Sequence, residues 1–173
     1  VFLAGKTTST NNISFLGHQN AYGGGVSDGF LVKFDSSGTR KWATYYGGTG
    51  PDRGEGLFVK NNYIYISGHT ASSNNIGYNG FRNTLRPNSN HDAYLAKFNH
   101  LGVRKWGTYY GGENYDWSYG VVADDNENVY LGGQTSSTTY ISYLGQNSNL
   151  GGSNDAFLVK FDSLGNRLWA SYY

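Results

Sequence analysis

Short runs of apolar residues alternate along this chain with polar stretches rich in glycine and asparagine, a pattern that predicts β-strands separated by turns. Four such runs follow one another in the middle of the chain, and we name them strands a, b, c and d: 56–60, 63–68, 92–98 and 103–110. Short turns at 61–62 and 99–102 separate a from b and c from d, whereas the b–c link at 70–91 is long and polar. Only this link is long enough for a helix, and its many Asn, Ser and Gly residues predict a loop.

The tight c–d links share a sequence that is typical of a type I turn, with Asp or Asn in the first position and Gly in the fourth. The glycine allows a positive φ angle at the end of the turn. This sequence occurs three times, at 35–38, 99–102 and 162–165. We therefore expect strands c and d to pair antiparallel, as a and b do.

The four-strand pattern recurs along the chain at an almost constant interval. A Trp-x-(Thr/Ser)-Tyr-Tyr motif begins at Trp42, Trp106 and Trp169, which are 64 and 63 residues apart. The aspartate that opens strand c recurs at the same interval, as Asp28, Asp92 and Asp155. A period of this length indicates one supersecondary unit that is copied and stacked.

Four antiparallel strands per repeat predict an all-β fold, namely a β-propeller built of four-stranded antiparallel blades. A β-sandwich would not need near-identical sequence at this interval, and the coils of a β-solenoid are usually shorter. The first repeat lacks strand a, because 1–5 aligns with strand b at 64–68, and the chain therefore holds about 2.75 blades. We expect one propeller fragment made of a partial blade (strands b to d) and two complete blades: 1–48, 49–112 and 113–173.

A propeller closes with roughly four to eight blades, so we expect this chain to form an incomplete ring. Val1 lies inside a predicted strand and Tyr173 inside another, and we interpret both as cuts through a longer array. The expected partners are other blades of the same larger protein or further copies of this chain.

The composition narrows the class of protein further. Charged residues make up only 14% of the chain and the net charge is +1, which gives no electrostatic reason to expect nucleic acid as a partner. The 17% aromatic content argues against disorder. No apolar run approaches the roughly 20 residues of a membrane-spanning helix, so membrane insertion is not expected. The chain has no cysteine, which excludes disulfides and thiolate chemistry.

Several motifs, in order along the chain, carry a resemblance to a known repeat family. They are the stretch Asp-Ala-Phe-Leu-Val-Lys-Phe-Asp to Trp-Ala-Ser-Tyr-Tyr, two Tyr-Gly-Gly to Asp and Gly stretches, and Asn-Val-Tyr-Leu-Gly-Gly: 155–173, 46–56, 110–120 and 128–133. They resemble the bacterial β-propeller repeat family known as SBBP. The resemblance implies a secreted or cell-surface bacterial protein, often long and modular. Many such proteins occur in bacteria with gliding motility and leave the cell through a C-terminal signal (type IX secretion). The resemblance implies no catalytic residue.

The repeated aromatic residues of strand d are expected to pack between neighbouring blades rather than to form a sugar-binding surface. They are Trp42, Trp106, Trp169, Tyr46, Tyr110 and Tyr173. The lysines in the middle of strand c, Lys33, Lys97 and Lys160, are expected to point outward with their stems along the sheet.

Repeated carboxylates beside glycine-rich links, such as Asp52 and Asp116, are compatible with calcium, which takes several oxygen ligands. No Asp-x-Asp-x-Asp-Gly loop occurs, so we expect turn-forming carboxylates and no cofactor, with calcium as the alternative. No nucleophile-elbow, phosphate-loop or metal-protease motif is present. The four histidines fall at scattered positions and are expected to be structural or solvated: His18, His69, His91 and His100.

The link lengths predict where binding takes place. Tight a–b and c–d links lie on one rim of each blade, so the long b–c links share the opposite rim with the d–a links. Variable loops on a rigid β scaffold commonly carry recognition. We expect this rim to contact a ligand or partner through seven side chains: Trp117, Tyr115, Arg53, Phe81, Arg82, Tyr22 and Tyr143.

Together these features lead us to expect a non-catalytic, extracellular repeat or scaffold module of a larger bacterial protein, which mediates adhesion or contacts a partner or glycan through this rim. One alternative is a carbohydrate-binding, lectin-type propeller with a pocket in every blade. A second alternative is an enzyme whose active site needs the missing blades.

Overall fold

The computed structural model describes residues 1–173 and consists of eleven β-strands joined by turns and loops. In chain order they are β1 (Phe2–Thr7), β2 (Asp28–Phe34), β3 (Arg40–Tyr46), β4 (Asp52–Lys60), β5 (Tyr63–Thr70), β6 (Asp92–Asn99), β7 (Arg104–Tyr110), β8 (Asp116–Ala123), β9 (Val129–Thr135), β10 (Asp155–Phe161) and β11 (Arg167–Tyr172). No helical segment has the length and apolarity needed to cross a membrane.

The strands form three antiparallel meanders, which we call blades 1, 2 and 3: β1–β3, β4–β7 and β8–β11. The first strand of each complete blade packs against the preceding blade, since β4 contacts β1 and β2, while β8 contacts β4, β5 and β6. The chain is therefore an incomplete β-propeller, as the sequence predicts, and blade 1 lacks its inner strand.

The complete blades begin earlier than the apolar pattern indicates. The run of strand a starts at Gly56, but β4 starts at Asp52, because its first residues pair with the end of β5 at His69 and Thr70. The register shifts between Gly54 and Gly56, so the polar entry and the apolar run belong to one bulged strand. Blade 3 repeats this shift between Ser118 and Gly120.

Aromatic side chains fill the joints between blades. Trp42 and Tyr46 of blade 1 pack into one buried cluster with residues of blade 2, and Trp106 and Tyr110 of blade 2 pack into a second cluster with residues of blade 3. The indole Nε1 of Trp106 also donates a hydrogen bond of 3.0 Å to the Ser163 carbonyl in the next blade. These four side chains therefore lie where blade packing requires them.

Their counterparts in blade 3 differ. Trp169 is only half-buried, and Tyr173 is 92% exposed. In this chain no further blade lies beyond blade 3, so the packing expected for Tyr173 is not formed. Tyr172, which faces the other side of its strand, is buried against blade 3's own b–c link and donates a hydrogen bond to the Ser137 carbonyl.

Two of the three strand c lysines, Lys97 and Lys33, reach into the joints between blades instead of pointing outward as expected. Lys97 is buried in the joint between blades 2 and 3, 2.7 Å from a Glu127 carboxylate oxygen and 3.9 Å from the centre of the Tyr63 ring. Lys33 reaches across the other joint, where its ammonium donates to the His100 carbonyl at 3.0 Å. The expectation fails because alternate residues of a propeller strand face the neighbouring blade, and a long cationic side chain there can reach that blade's c–d turn.

The c–d turns adopt the predicted geometry. Their last residues, Gly38, Gly102 and Gly165, have φ angles of 81°, 82° and 85°. The first side chain caps each turn; the Asp35 carboxylate, for example, accepts hydrogen bonds from the Ser37 and Thr39 amides.

The long b–c links turn back along the outer strand of their own blade instead of remaining at the rim. Tyr78 and Gly107 exchange a pair of backbone hydrogen bonds, each 2.8 Å long. Phe15 pairs with Ala43 in blade 1 in the same way. The outer strand has unpaired backbone groups along its edge, and the link satisfies some of them. Link length alone does not reveal this, and residues expected at the rim lie instead along the outer strand.

Candidate functional site

Buried carboxylates fix the d–a links at one end of the blades. Asp116 accepts hydrogen bonds from the Thr135 hydroxyl, the Ser137 hydroxyl and the Gly112 amide. Asp52 has the equivalent three partners in blade 2. Burial raises the pKa of Asp116 to about 6, although its hydrogen bonds act in the opposite direction. The start of each inner strand is thus held rigidly to the end of strand b.

Two of the three carboxylates that open strand c, Asp28 and Asp92, are also buried, but their partners differ between blades. Asp92 pairs with the Arg82 guanidinium and accepts a hydrogen bond from the Ser89 hydroxyl at 2.6 Å. Asp28 accepts only the Gly23 amide, at 2.7 Å, and its other oxygen has no partner. Burial raises the pKa of Asp28 to about 6. Blade 1 therefore has a buried acid with little compensation for its charge.

This difference predicts a pH effect on stability. Because the folded state raises the pKa of Asp28 from 3.8 to about 6, its contribution to stability is complete below 3.8 and is lost as the pH rises through about 6. We expect Asp28→Asn to raise the free energy of unfolding near pH 8 by about 1 kcal/mol, and to have no stabilising effect near pH 4. Urea unfolding at both pH values measures this.

Asp35→Asn is the control, because its expected effect on the free energy of unfolding near pH 8 has the opposite sign to that of Asp28→Asn. Hydrogen bonds from Ser37 and Thr39 lower the pKa of this turn carboxylate, so it stabilises the fold above its ordinary pKa. We expect Asp35→Asn to lower stability near pH 8. A pH-independent effect of Asp28→Asn would contradict the argument.

A cavity of about 320 Å³ lies beside the strand starts that Asp52 and Asp116 hold in place. We call it the inner groove. It is bordered by the inner strands of blades 2 and 3 and by strand ends of blades 1 and 2. Its principal side chains are Lys6, Arg53, Glu55, His69, His91, Trp117 and Tyr119. The groove therefore spans both joints between blades.

The two joints place different side chains on equivalent backbone positions. At the joint between blades 1 and 2 these positions hold charged or small polar residues: Lys6, Ser27, Arg53 and Glu55. At the joint between blades 2 and 3 the same four positions hold aromatic rings: His69, His91, Trp117 and Tyr119. The surrounding frame is nearly identical in the two repeats, so the groove has one charged half and one aromatic half.

Stacked rings form the aromatic half. The His69 and Trp117 rings lie 5.2 Å apart, inclined by 29°, and the His91 and Tyr115 rings lie 5.6 Å apart, inclined by 21°. Trp117 remains 36% exposed. The two imidazoles lie 5.8 Å apart, and the Nδ1 atom of each is buried without a hydrogen-bond partner. The aromatic half is thus a platform of stacked rings, of which Trp117 is partly exposed, with two enclosed imidazole nitrogens beside it.

The groove is not electrically neutral. Burial, followed by the neighbouring His91 and Arg53, lowers the pKa of His69 to about 4. Burial also lowers the pKa of His91, with a contribution from Arg53. The imidazoles are therefore uncharged at neutral pH, and the charge of the groove comes from Arg53, Lys6 and Glu55, two cations against one anion.

A second cavity of about 370 Å³ lies on the other side of Trp117. Its walls are Tyr115, Trp117, Gln134, Ser136 and Asn154. Gln134 and Asn154 occupy the positions that His69 and His91 hold one blade earlier. Trp117 is thus shared by two neighbouring cavities that are built on the same repeat frame.

A comparison with family models assigns part of this frame. Residues 105–141 match SBBP, the beta-propeller repeat. The matched segment runs from β7 through β8 and β9 and contains Tyr115, Trp117 and Gln134, so the aromatic half of the groove lies partly in the segment that matches this repeat. A search of curated proteins found no match to the chain.

Three of the seven side chains expected at a binding rim converge in these cavities. Tyr115, Trp117 and Arg53 lie together, because the d–a links bring the inner strands of neighbouring blades side by side. The structure does not bring the other four to the groove.

The remaining four rim candidates lie in the b–c links. Arg82 binds Asp92 and the Gly111 carbonyl, and Phe81 lies 6.3 Å from the Phe161 ring of blade 3. Tyr22 packs edge-on against Tyr45, with ring centres 5.8 Å apart. Tyr143 pairs with Ala170 through its backbone. These contacts lie within the blades or between them.

Sequence analysis missed five of the principal groove residues: Lys6, Glu55, His69, His91 and Tyr119. A signal for them exists in the chain. His69 aligns with Lys6 and Gln134, and His91 with Ser27 and Asn154, so these strand-end positions diverge while their neighbours repeat. Divergence at a few positions of an otherwise copied repeat marks the groove.

No three His, Asp or Glu side chains come together in a group that could hold a metal ion. Calcium binding, which the repeated carboxylates made a candidate, therefore has no acidic cluster to support it. The hydroxyl and amide donors around Asp52 and Asp116 occupy the carboxylate oxygens instead.

Proposed function

We propose that this β-propeller repeat module is a non-catalytic, extracellular recognition scaffold that binds a glycan in the inner groove. The observation that carries the proposal is the partly exposed Trp117 ring, which forms a wall of two adjacent cavities lined by planar polar side chains. Aromatic faces with a few fixed polar groups suit the apolar faces and hydroxyls of a sugar.

The charged half of the groove supports a narrower ligand class. Arg53 and Lys6 outnumber Glu55 beside the aromatic platform. A sugar unit that carries a carboxylate would meet these cations while a neighbouring unit stacks on Trp117. We propose an acidic polysaccharide, such as a chain that contains uronic acid, as the preferred ligand.

The properties of the groove favour binding over catalysis. A general acid or base works best with a pKa near the operating pH, whereas the pKa of His69 is lowered to about 4. Glu55, the nearest carboxylate, lies 4.0 Å from the His69 Nδ1 atom, which is too far for the hydrogen bond that would orient a catalytic imidazole. An enzyme completed by further blades remains the second alternative, and turnover of the bound glycan would favour it.

A lectin-type propeller with equivalent pockets is the first alternative. Equivalent pockets need equivalent residues, yet the two joints differ at all four groove positions, with Arg53 in place of Trp117 for example. One composite site across the two joints fits this divergence better. The extracellular location and the role in adhesion rest on the family resemblance.

Trp117→Ala tests the proposal. We expect the chain to bind uronate-containing oligosaccharides on a glycan array, and the variant to lose at least about tenfold in affinity in titration calorimetry, because it removes the stacking surface. Tyr140→Ala is the matched control, since Tyr140 is an exposed aromatic residue outside the groove. Equal binding by wild type and Trp117→Ala would contradict the site.

A further inference from the structure

In every blade the arginine that opens the outer strand lies over an aromatic ring of the b–c link. The guanidinium carbon is between 4.4 and 5.0 Å from the centre of that ring in the three blades. The pairs are Arg40 with Phe15, Arg104 with Tyr78, and Arg167 with Tyr143. We call these three pairs the outer belt. The pair recurs although the links around it differ in sequence from blade to blade, so it is a feature of the copied unit.

Each belt arginine is anchored through one nitrogen only. Nη1 of Arg104 donates to the carbonyls of Asn75 at 2.8 Å and Ile76 at 3.3 Å. Nη1 of Arg40 and Nη1 of Arg167 donate to carbonyls in the equivalent part of their own links. The Nη2 atom of each makes no hydrogen bond and is open to solvent. The guanidinium is thus fixed in position, with one nitrogen free to bind an anion.

The aromatic rings of the belt are partly open to solvent. Phe15, Tyr78 and Tyr143 are 43%, 46% and 45% exposed. Tyr78 keeps this exposure with a blade on either side, so its ring does not belong to a joint between blades. Exposed amide side chains, such as Asn12 and Asn79, lie in the same links. Each belt position therefore combines an open ring and a cation with neutral hydrogen-bonding groups nearby.

The charged residues of the chain are unevenly distributed between this outer layer and the rest. The b–c links (8–27, 71–91 and 136–154) and the outer strands β3, β7 and β11 contain none of the 12 Asp and Glu residues. They contain seven of the 13 Lys and Arg residues: Arg40, Lys41, Arg82, Arg86, Arg104, Lys105 and Arg167. Of these, only Lys41 and Arg82 form an ion pair with a carboxylate. A net charge of +1 therefore conceals an outer layer that is positive in every blade.

The belt of blade 2 also adjoins a cavity of about 470 Å³. Asn79, which follows Tyr78 in the chain, and Lys105, which follows Arg104, both border it. The ion pair of Lys97 with Glu127 lies in the same cavity, and its two charges cancel. Lys105 has no such partner, so the charge of this cavity is also positive.

We propose that the outer belt binds a linear polysaccharide that carries anionic groups, with one contact per blade. In each contact an anionic group pairs with the free Nη2 atom, and a sugar ring packs on the exposed aromatic ring. Because the contact recurs in every blade, a long polysaccharide engages several pairs at once and binds more tightly than a short one. The belt lies on the outer strands and the inner groove on the inner strands, so this inference is independent of the proposed glycan site.

The arrangement of the belt favours a flexible glycan chain over other polyanions. The blades fan about an axis, so a flat anionic bilayer would meet few of the pairs at once. Duplex DNA has a persistence length of about 50 nm and is too stiff to follow the pairs from blade to blade. The hydroxyl and amide side chains of the b–c links suit the hydroxyl groups of a sugar.

Binding to immobilised dextran sulfate tests the proposal, with uncharged dextran as the reference polymer. We expect the wild-type chain to bind dextran sulfate and not dextran, and the affinity to fall as the salt concentration rises, because the belt cations are exposed. Arg40→Gln combined with Arg104→Gln should lower the affinity at least about tenfold. Long dextran sulfate should bind more tightly than fragments too short to span two blades.

Lysine variants keep the test valid if the arginine variant does not fold, since Lys41 and Lys105 are exposed and anchor no link. We expect Lys41→Gln combined with Lys105→Gln to lower the affinity at least about threefold. Lys60→Gln combined with Lys160→Gln is the matched control, because it removes the same charge outside the b–c links and outer strands. If the lysine variant and this control bind dextran sulfate equally well, the proposal is wrong.

Further measurements separate the belt from the inner groove and from other ligands. Trp117→Ala should bind dextran sulfate as the wild type does, and a loss of that binding would overturn the proposal. Polygalacturonate in place of dextran sulfate shows whether a carboxylate serves as well as a sulfate, and binding to either polymer through the belt supports the inference. Tighter binding to a single-stranded oligonucleotide or to phosphatidylglycerol vesicles would contradict it, because the belt would then recognise another class of polyanion.

Discussion

Trp106→Ala is expected to lower the free energy of unfolding by about 4 kcal/mol, the largest loss that we expect from a single substitution in this chain. Trp106 is 4% exposed, packs into the cluster between blades 2 and 3 and donates its indole hydrogen to the Ser163 carbonyl. Truncation leaves a cavity at the joint and an unpaired carbonyl. Urea unfolding followed by tyrosine and tryptophan fluorescence measures the loss.

Trp169→Ala is the matched control, because the same residue type stands at the same repeat position without a following blade. Trp169 is only half-buried, so we expect less than about half of the loss at Trp106. Equal losses at the two positions would indicate that packing within a blade, rather than between blades, accounts for the effect.

Asp116→Ala is expected to lower the free energy of unfolding by about 3 kcal/mol. The substitution leaves three buried donors without an acceptor: the Thr135 hydroxyl, the Ser137 hydroxyl and the Gly112 amide. It also releases the start of β8, where Trp117 is held. Urea unfolding measures the loss of stability. We also expect faster hydrogen exchange at the Gly112 amide, which NMR can follow, and weaker binding in the inner groove, which titration calorimetry can follow.

Asp124→Ala is the control that separates the effect of burial from the effect of the number of hydrogen bonds lost. Asp124 also accepts several hydrogen bonds, from Asn126, Asn128 and Tyr130, but it does so at an exposed a–b turn where water can replace it. We expect a clearly smaller loss of stability than at Asp116. A loss as large as that of Asp116→Ala would show that the number of donors matters more than their burial.

The repeat made the blades predictable from sequence. A Trp-x-(Thr/Ser)-Tyr-Tyr strand copied at a fixed interval has to place Trp42 and Trp106 in equivalent joints, and the Asp-to-Gly turns specify positive φ angles at Gly38 and Gly102. What the repeat could not reveal is the side of the strand to which a long side chain turns. The expected outward direction of Lys97 is therefore wrong, because its ammonium is buried beside Glu127 of the neighbouring blade, and the repeat does not encode that contact.

The groove was only partly predictable. Trp117 and Arg53 are large side chains in short links, which the sequence displays directly, whereas His69 and His91 occupy positions at which the other repeats have no histidine. His69 lies next to Trp117 because bulged pairing between β4 and β5 carries the strand end to the start of the next inner strand. Such a contact joins residues about 50 positions apart, and no local pattern encodes it.

The b–c links have a consequence for how tandem copies fold. Adjacent near-identical repeats can exchange strands during folding, which is a characteristic error of multidomain and repeat chains. Here each link pairs with the outer strand of its own blade, Tyr78 with Gly107 and Tyr143 with Ala170, and these links are the parts of the repeats that differ most in sequence. We therefore expect each link to favour pairing of the strands within one copy over exchange of near-identical strands between copies.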